Sequence, residues 1–508
     1  MPSTPRRLLP LAVVVLATLV GSAYFLIAER GVAGRWGFSL DDSWIYATFA
    51  RNLATGHGYS FNPGESVGGA TGPLYVFILA FLYLIFHDVV LPGKILGIAC
   101  LGASAILIFL SMRNIDPTDR AKPLLAGILV GMSPTLLWGS VSGMEIPVYL
   151  LVTCLGIYFY TLERWTLNAV CWSAGVWLRP DGIVLALLSI VARPRLSIRN
   201  TIGPATVTLG VLAAYLLFNY SVGGAPLPNS VGIKSSLAGN LLGREWSMAA
   251  QWLWLWGLSL RPGSFGHHLP LLIPAMAVGA ILCWHRLPAY AAYAFGFPFA
   301  FGAFGPSGGQ HGRYIAYVVP FGILLGVWGL HWFARRAFGR SWLRGFVAIG
   351  ILCIGCQVYV GRVLGIEHGW NVQNINDMQR FVAERIRSGT SPGDTVAVND
   401  IGAMGYFSNC YVVDLVGLVS PRRTFPENLT IYHPKYLSVF PDWYRDYAVR
   451  DPRIDNTVFL SADSTWKYSP VVGLGLRKNT ISSRNVMVLY RRMTPGEVGP
   501  ADVPIIWH

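Results

Sequence analysis

The sequence predicts a polytopic α-helical membrane protein with a C-terminal α/β soluble domain, and three observations predict it. Of 508 residues, 53% are apolar and only 13% are charged, whereas a soluble enzyme carries about a quarter charged. The apolar residues fall into runs of membrane length, and from about residue 362 the composition becomes that of a soluble domain. The net charge of +14 lies in short clusters between the apolar runs. A nucleic-acid partner would need those charges gathered in one stripe, so they read as membrane topology instead and exclude that partner.

Spans of about 17 to 25 apolar residues cross a bilayer, and short loops rich in Lys and Arg stay cytoplasmic. The N-terminal MPSTPRRLLPLAVVVLATLVGSAYFLIA has a basic start, an apolar stretch longer than a signal peptide's and no clear cleavage site before Glu29. It reads as an uncleaved first helix with the N-terminus inside, which makes 29–92 the first outer loop. Within that loop PLYVFILAFLYLIF, at 73–86, is too short for a full span and suits an interfacial or re-entrant helix. Charge decides the point. If this run does not cross, the basic loops Arg113 to Lys122, Arg164, Arg193 to Arg199, His285-Arg286 and Arg335 to Arg344 are all cytoplasmic; if it crosses, all are outside.

The count is then about eleven spans, near 8–28, 92–112, 121–139, 145–162, 166–178, 182–192, 201–220, 269–284, 287–304, 313–333 and 343–361. The aromatic stretch WLWLWGLSL at 252–260 suits the outer interface. Residues 1–361 form the transmembrane domain and 362–508 the outer α/β domain. In the latter, the amphipathic INDMQRFVAERIRS precedes strand-like TVAVND, YVVDLVG, TVFLSA and NVMVLYRR. Six of the seven cysteines lie in apolar segments, and Cys353-x-x-Cys356 sits inside a predicted helix. They read as buried small residues, not as a disulfide framework or a redox pair. No internal repeat is evident.

With this topology the polar interruptions collect on the outer face: DDSW at 41–44, SGME at 142–145, LRPDG at 178–182, PLPNSVGIK at 226–234 and QHGRY at 310–314. Ionisable groups at a membrane boundary are costly unless solvated or paired, so their convergence marks a cavity. Asp41 and Asp42 precede a helical pattern and, alone, read as an N-cap and a first-turn acid. The four other motifs on the same face tip the pair towards catalysis. Adjacent side chains diverge, so the two carboxylates take different roles. Glu145 opens a span beside Pro147 and is either a dipole partner or a site acid. Arg179 and Asp181 either pair with each other or bind substrate. Lys234 and Arg313, with Tyr314, are outer cations suited to a phosphate, although Arg313 could also snorkel to headgroups. His311 could be a base or a ligand and is counted with the donor-phosphate-binding residues, but no second His stands at metal spacing. His57, in the GHGY turn of the first loop, is counted with the substrate-binding residues. No cofactor is assigned, and a divalent cation stays open.

A carboxylate base beside phosphate-binding cations at a bilayer suits group transfer from a lipid phosphate. At these residues the sequence resembles the GT-C superfamily of polyprenyl-phosphate-sugar-dependent glycosyltransferases. The first loop, DDSWIYATFARNLATGHGYSFNPGESVGGATGPLY, is similar to that of bacterial cell-wall arabinofuranosyltransferases and the RgtA/B/C/D-like group, and the pattern continues through SGMEIP, LRPDG, the PNS...K loop, HGRY and NDIGAMGYF...VVDLVGLVSP. The resemblance implies Asp41 as base, Asp42 in support, Glu145 as second-loop acid, and Lys234 and Arg313 on the donor phosphate. It also implies a multi-pass protein of the bacterial inner membrane, a polyprenyl-phosphate sugar as donor and an envelope glycan or glycolipid as acceptor. GGATGPLY departs from the family at Gly72 and Tyr75, which puts the sugar's identity in question. Two other classes compete. A transporter or flippase would carry its ionisable residues at the bilayer midplane, and a non-catalytic glycan sensor would not need Asp41.

Overall fold

The computed structural model describes residues 4–230, 269–302, 309–314, 316–391, 393–453, 456–494 and 496–508. Lys234 and the aromatic stretch 252–260 lie outside the described residues. The N-terminal part is a helical bundle: α1 (Thr4–Ala33), α2 (Asp41–Ala54), α3 (Pro73–Phe86), α4 (Val90–Ile115), α5 (Ala121–Gly131), α6 (Pro134–Val141), α7 (Ile146–Thr161), α8 (Trp165–Ala174), α9 (Ile183–Val191) and α10 (Ile198–Gly223). After the undescribed segment come α11 (Leu272–Cys283), a broken helical stretch from Pro288 to Gly302, α12 (Val319–Phe338) and α13 (Trp342–Ile375).

The protein is a polytopic membrane protein, and each of the eleven apolar runs contains helix. Among the described residues four helical stretches are long and apolar enough to cross a membrane: Leu8–Ala33, Val90–Ile115, Ile198–Gly223 and Ala316–Ser388. The pair α5 and α6, bent by 47°, makes a fifth if counted as one span. The other runs form shorter helices. Large apolar side chains face outward on the long ones, Ile27 at 69%, Leu217 at 69% and Tyr359 at 71% exposure, as lipid-facing positions require. Inside, helices meet through small residues: a Cβ on Gly279 of α11 would lie 1.9 Å from the Leu325 carbonyl oxygen of α12, so only glycine permits that approach.

The domain boundary expected at 361 falls inside α13. This helix runs on through a π-turn at Asn376–Arg380 into α14 (Phe381–Ser388). Its first half faces lipid with residues such as Ile351, and its second half buries His368, Asn371 and Asn374. One helix thus serves two environments. A fully buried triad crosses the bundle nearby: Lys94 Nζ and His368 Nε2 both meet Glu29 Oε2, at 2.8 and 2.9 Å, while the Gly37 N–H donates to Oε1. Burying such charges is tolerable only when they are paired in this way.

The C-terminal sheet has strands β1 (Thr395–Val398), β2 (Tyr411–Asp414), β3 (Tyr436–Val439), β4 (Ala448–Asp451), β5 (Asn456–Leu460), β6 (Lys467–Gly475), β7 (Val486–Met493) and β8 (Ile505–Trp507), in the order β2-β1-β3-β7-β6-β5-β4 with β8 on β6. β1 lies parallel to β2 and β3, and β7, β6, β5 and β4 follow antiparallel. Helices α15 (Gly402–Phe407) and α16 (Phe425–Tyr432) follow β1 and β2. Successive strand residues point to opposite faces. Ala397 joins Val413, Leu437, Phe459 and Tyr490 in the domain's own core. Val396 and Val398 enter the larger core that also contains Phe38, Trp44 and Tyr46. The two domains are therefore packed as one.

Candidate active site

α2 begins at Asp41, but Leu40, not Asp41, occupies the position before its first turn, and no side chain caps it there. The alternative reading of Asp41 as the N-cap of its own helix does not hold: its carboxylate turns away from α2 and caps another helix. The Gly402 N–H donates to Asp41 Oδ2 (2.7 Å) and the Ala403 N–H to Oδ1 (2.9 Å), at the N-terminus of α15, where unpaired N–H groups and the helix dipole favour an anion. Ten residues along α2, the Arg51 guanidinium donates to the carbonyl oxygens of Tyr406 (2.6 Å) and Gly405 (3.1 Å) at the other end of α15. One helix holds the other by both poles. Trp44 seals the contact against Tyr406 and Phe407, with ring centroids 5.0 and 4.6 Å away.

Asp42 diverges from Asp41, as adjacent helical residues must. Its Oδ2 lies 2.8 Å from Arg313 Nη2. Arg313 is buried, its guanidinium lies over the Tyr314 ring at 4.6 Å, and its Nη2 also donates to the Tyr314 hydroxyl. Its Nε and Nη1 find no partner among the described residues. A buried guanidinium with unmatched donors is expensive, and three N–H groups in fork geometry suit an oxyanion.

The pocket beside this pair, about 120 Å³, is lined by Asp41, Asp42, Gln379, Asn399, Asp400 and Ser482 among others. Asp400 is a site residue that motif reasoning passed over. It follows β1, at the carboxyl end of a strand, where open α/β sheets place ligands, and that position was the available signal. Gln379 Nε2 donates to Asp400 Oδ2 (2.9 Å) and Asn399 Nδ2 to Oδ1 (3.2 Å). Gln379 belongs to the π-turn between α13 and α14, a feature frequent at functional sites. Burial, then the nearby Asp400 charge, raises the Asp41 carboxyl above the usual carboxylate range; burial likewise raises Asp400, with Asp42 adding to it.

A second cluster adjoins the first. Arg179 Nη1 meets Glu145 Oε1 and Nη2 meets Asp181 Oδ2, both at 2.8 Å, and the Tyr317 hydroxyl donates to Asp181 Oδ2 at 2.8 Å. The Arg179–Asp181 pairing that spacing suggested is present, with Glu145 added to it. Glu145 Oε2 has no partner among the described residues. Arg179 lies over the Tyr314 ring at 5.3 Å, so contacts run continuously from Asp42 through Arg313, Tyr314 and Arg179 to Glu145. His311 is not in either cluster: its Nε2 lies 3.1 Å from Asn371 Oδ1, against Trp138. His57 is exposed and bonds through Nδ1 to Thr55 in its own turn, so the structure does not bring it to the pocket. At the departure GGATGPLY, a Cβ on Gly72 would lie 2.4 Å from the Leu178 carbonyl oxygen, which accounts for glycine there, and the Tyr75 hydroxyl donates to the Gly143 carbonyl.

Among the described residues no three His, Cys, Asp or Glu side chains gather as metal ligands, and the three pocket carboxylates meet N–H donors instead.

A family model described as a domain of unknown function (DUF8728) matches residues 366–489, the segment that carries Gln379, Asp400 and Ser482. No curated protein matches the chain. Among solved structures it is similar to the Archaeoglobus fulgidus oligosaccharyltransferase complex with Zn and sulfate, at TM-score 0.59 and 13% identity, covering 84% of this chain and 67% of that one. It is also similar to ArnT from Cupriavidus metallidurans bound to undecaprenyl phosphate, at TM-score 0.54 and 12% identity, covering 95% of this chain and 99% of that one. The mycobacterial arabinofuranosyltransferase AftD matches at TM-score 0.48 and 13% identity over 93% of this chain and 41% of its own. The oligosaccharyltransferase and ArnT are GT-C glycosyltransferases, and the fold of this chain is GT-C like.

Proposed function

We propose that this protein is an inverting glycosyltransferase that moves a sugar from a polyprenyl phosphate to a hydroxyl of a cell-envelope glycan or glycolipid at the outer face of the bacterial inner membrane. The observation that carries the proposal is Arg313: a buried guanidinium, paired to Asp42 through one nitrogen and without partners among the described residues on the other two. ArnT, a neighbour in fold, is bound to undecaprenyl phosphate, and the same ligand class suits this fork. The basic loops, read as cytoplasmic, support an outer position for the bundle end bearing the C-terminal domain.

In the reaction, the acceptor oxygen attacks the anomeric carbon as the bond from that carbon to the phosphate oxygen breaks. The polyprenyl phosphate leaves with the bonding pair, and Arg313, with Lys234 as a second cation, takes up its growing charge. The acceptor's proton goes to Asp41. A carboxylate has about four lone-pair sites, so the bonds from Gly402 and Ala403 orient Asp41 without filling it. One displacement inverts the anomeric centre.

The test is transfer from radiolabelled polyprenyl-phosphate sugars to envelope oligosaccharides by purified protein in nanodiscs, with Arg313→Lys beside the wild type. Loss of the fork is expected to lower transfer by about 10²- to 10³-fold, as for removal of a transition-state donor. Unchanged transfer in Arg313→Lys removes the phosphate role, and no wild-type transfer with any donor removes the enzyme reading.

A further inference from the structure

A cavity of about 780 Å³ lies between the loop after α2, the segment after α10 and the C-terminal domain. We propose that it is the glycan-binding subsite, which holds the sugar units of the acceptor that lie beyond the reacting hydroxyl; this rests on the glycosyltransferase reading above. Its walls are Glu65, Ser66 and Val67, the stretch 225–229, Gly417, and the stretch from Val419 to Arg422.

Three properties favour a glycan. The catalytic pocket, at about 120 Å³, is far below the 300–1,000 Å³ range of ligand sites, so an oligosaccharide must extend elsewhere. The larger cleft adjoins it: Leu418 lines the catalytic pocket, while its neighbours Gly417, Val419 and Ser420 line the cleft. One loop is the wall between them.

The walls are also fixed in advance. The Asn229 N–H donates to the Gly68 carbonyl and Asn229 Nδ2 to the Leu418 carbonyl, both at 3.0 Å. The Asp414 carboxylate accepts from the N–H groups of Val416, Leu418 and Val419, and the Asp414 N–H donates to Ser420 Oγ. All three chain segments are thereby tied together, and a preformed site spends less of its binding energy on ordering.

The chemistry suits hydroxyl-rich rings. Glu65 and Arg422 supply an acceptor and donors of charged type, Ser66 and Asn229 supply neutral groups, and Pro226 and Pro421 supply apolar faces for C–H surfaces. Glu65 Oε2 accepts from the Tyr411 hydroxyl (2.8 Å). A polyprenyl chain is the wrong occupant, because the cleft begins beyond Gly223, the end of a helix of membrane length, and its far wall is the sheet domain.

Ser66 is exposed, so Ser66→Trp fills the cleft without touching the core. The experiment uses full-length protein in nanodiscs, a labelled polyprenyl-phosphate sugar and oligosaccharides released from the envelope polysaccharide by mild acid. The expected result is a rise of about tenfold or more in KM for the oligosaccharides, the loss that one good contact of ~1.4 kcal/mol represents, with KM for the donor unchanged. Arg422→Ala is expected to act in the same direction. Wild-type KM for the oligosaccharides in Ser66→Trp overturns the subsite, as does a rise confined to the donor. No transfer by the wild-type protein overturns the glycosyltransferase reading itself, and the subsite with it.

Discussion

Replacing Asp41 by Asn separates its two jobs, because the carboxamide keeps the shape and removes both the charge and one acceptor. Asp41 now accepts from two backbone N–H groups, at 2.7 and 2.9 Å. An amide oxygen can keep one of them, and its NH₂ must face the other. Losing a hydrogen bond to a charged group costs about 1.5–3 kcal/mol. Against that, the substitution removes a carboxylate that burial and the charge of Asp400 oppose, so the net loss of stability is expected at about 1 kcal/mol. The loss expected from removing the proposed general base is larger, about 10²- to 10⁴-fold in transfer rate. The pH dependence gives a second reading. Because the folded pKa of Asp41 is raised, the folded state holds more protons than the unfolded one between the ordinary value and the raised one, and stability falls as pH rises through that window. Asp41→Asn flattens this slope. Asp400→Asn lowers the proton affinity of Asp41, so the acid limb of the rate profile moves to lower pH while most activity remains. The assays are transfer rate against pH and thermal unfolding against pH. Transfer by Asp41→Asn within about threefold of wild type, far short of the loss a base implies, refutes the role of Asp41; an acid limb that does not move in Asp400→Asn refutes the coupling.

A methyl group at Gly402 would sit 1.9 Å from the Asp41 carbonyl oxygen and 3.0 Å from its Cγ. Gly402→Ala is therefore expected to lower stability by about 1–3 kcal/mol and to reduce transfer with it; an unfolding temperature equal to wild type contradicts the close packing of α2 on α15. A cysteine at the exposed Ser464, with the native cysteines replaced, is expected to react with an impermeant maleimide from outside the cell, and labelling confined to the cytoplasmic side overturns the assigned orientation.

Hydropathy made the helices legible because lipid imposes one long, uniform requirement on each crossing run, and the runs at 8–28, 92–112 and 201–220 fall within α1, α4 and α10. Strands β3, β4, β6 and β8 were not anticipated. Tyr436–Val439 is only four residues long, and Lys467–Gly475 includes Pro470, which argues against a strand. Site residues inside short motifs, such as Asp42 and Arg313, could be read because both interrupt apolar patterns. Their pairing across more than 250 positions could not, since no local spacing encodes it. The same holds for Glu29, Lys94 and His368, three ionisable residues at the ends of apolar runs that look like solvated boundary charges until the fold buries them together.

Asp400 shows why a candidate pocket divided between two domains resists motif reading. Its strand is four residues long and its neighbour Asn399 is spent on the Phe440 N–H and on Asp400 itself, so apart from its place at the end of a strand nothing local marks it as functional. It becomes meaningful only through α15, which starts two residues later and is held at both ends by α2. The acid that caps α15 is therefore also the acid that Asp400 polarises, and the clamp fixes the separation on which that polarisation depends. A looser junction would leave Asp41 an ordinary carboxylate, more weakly basic and free to rotate. On the proposed mechanism the docking of the C-terminal domain is in this sense part of the acid–base chemistry, and variants that loosen it are expected to shift the pH profile before they abolish transfer.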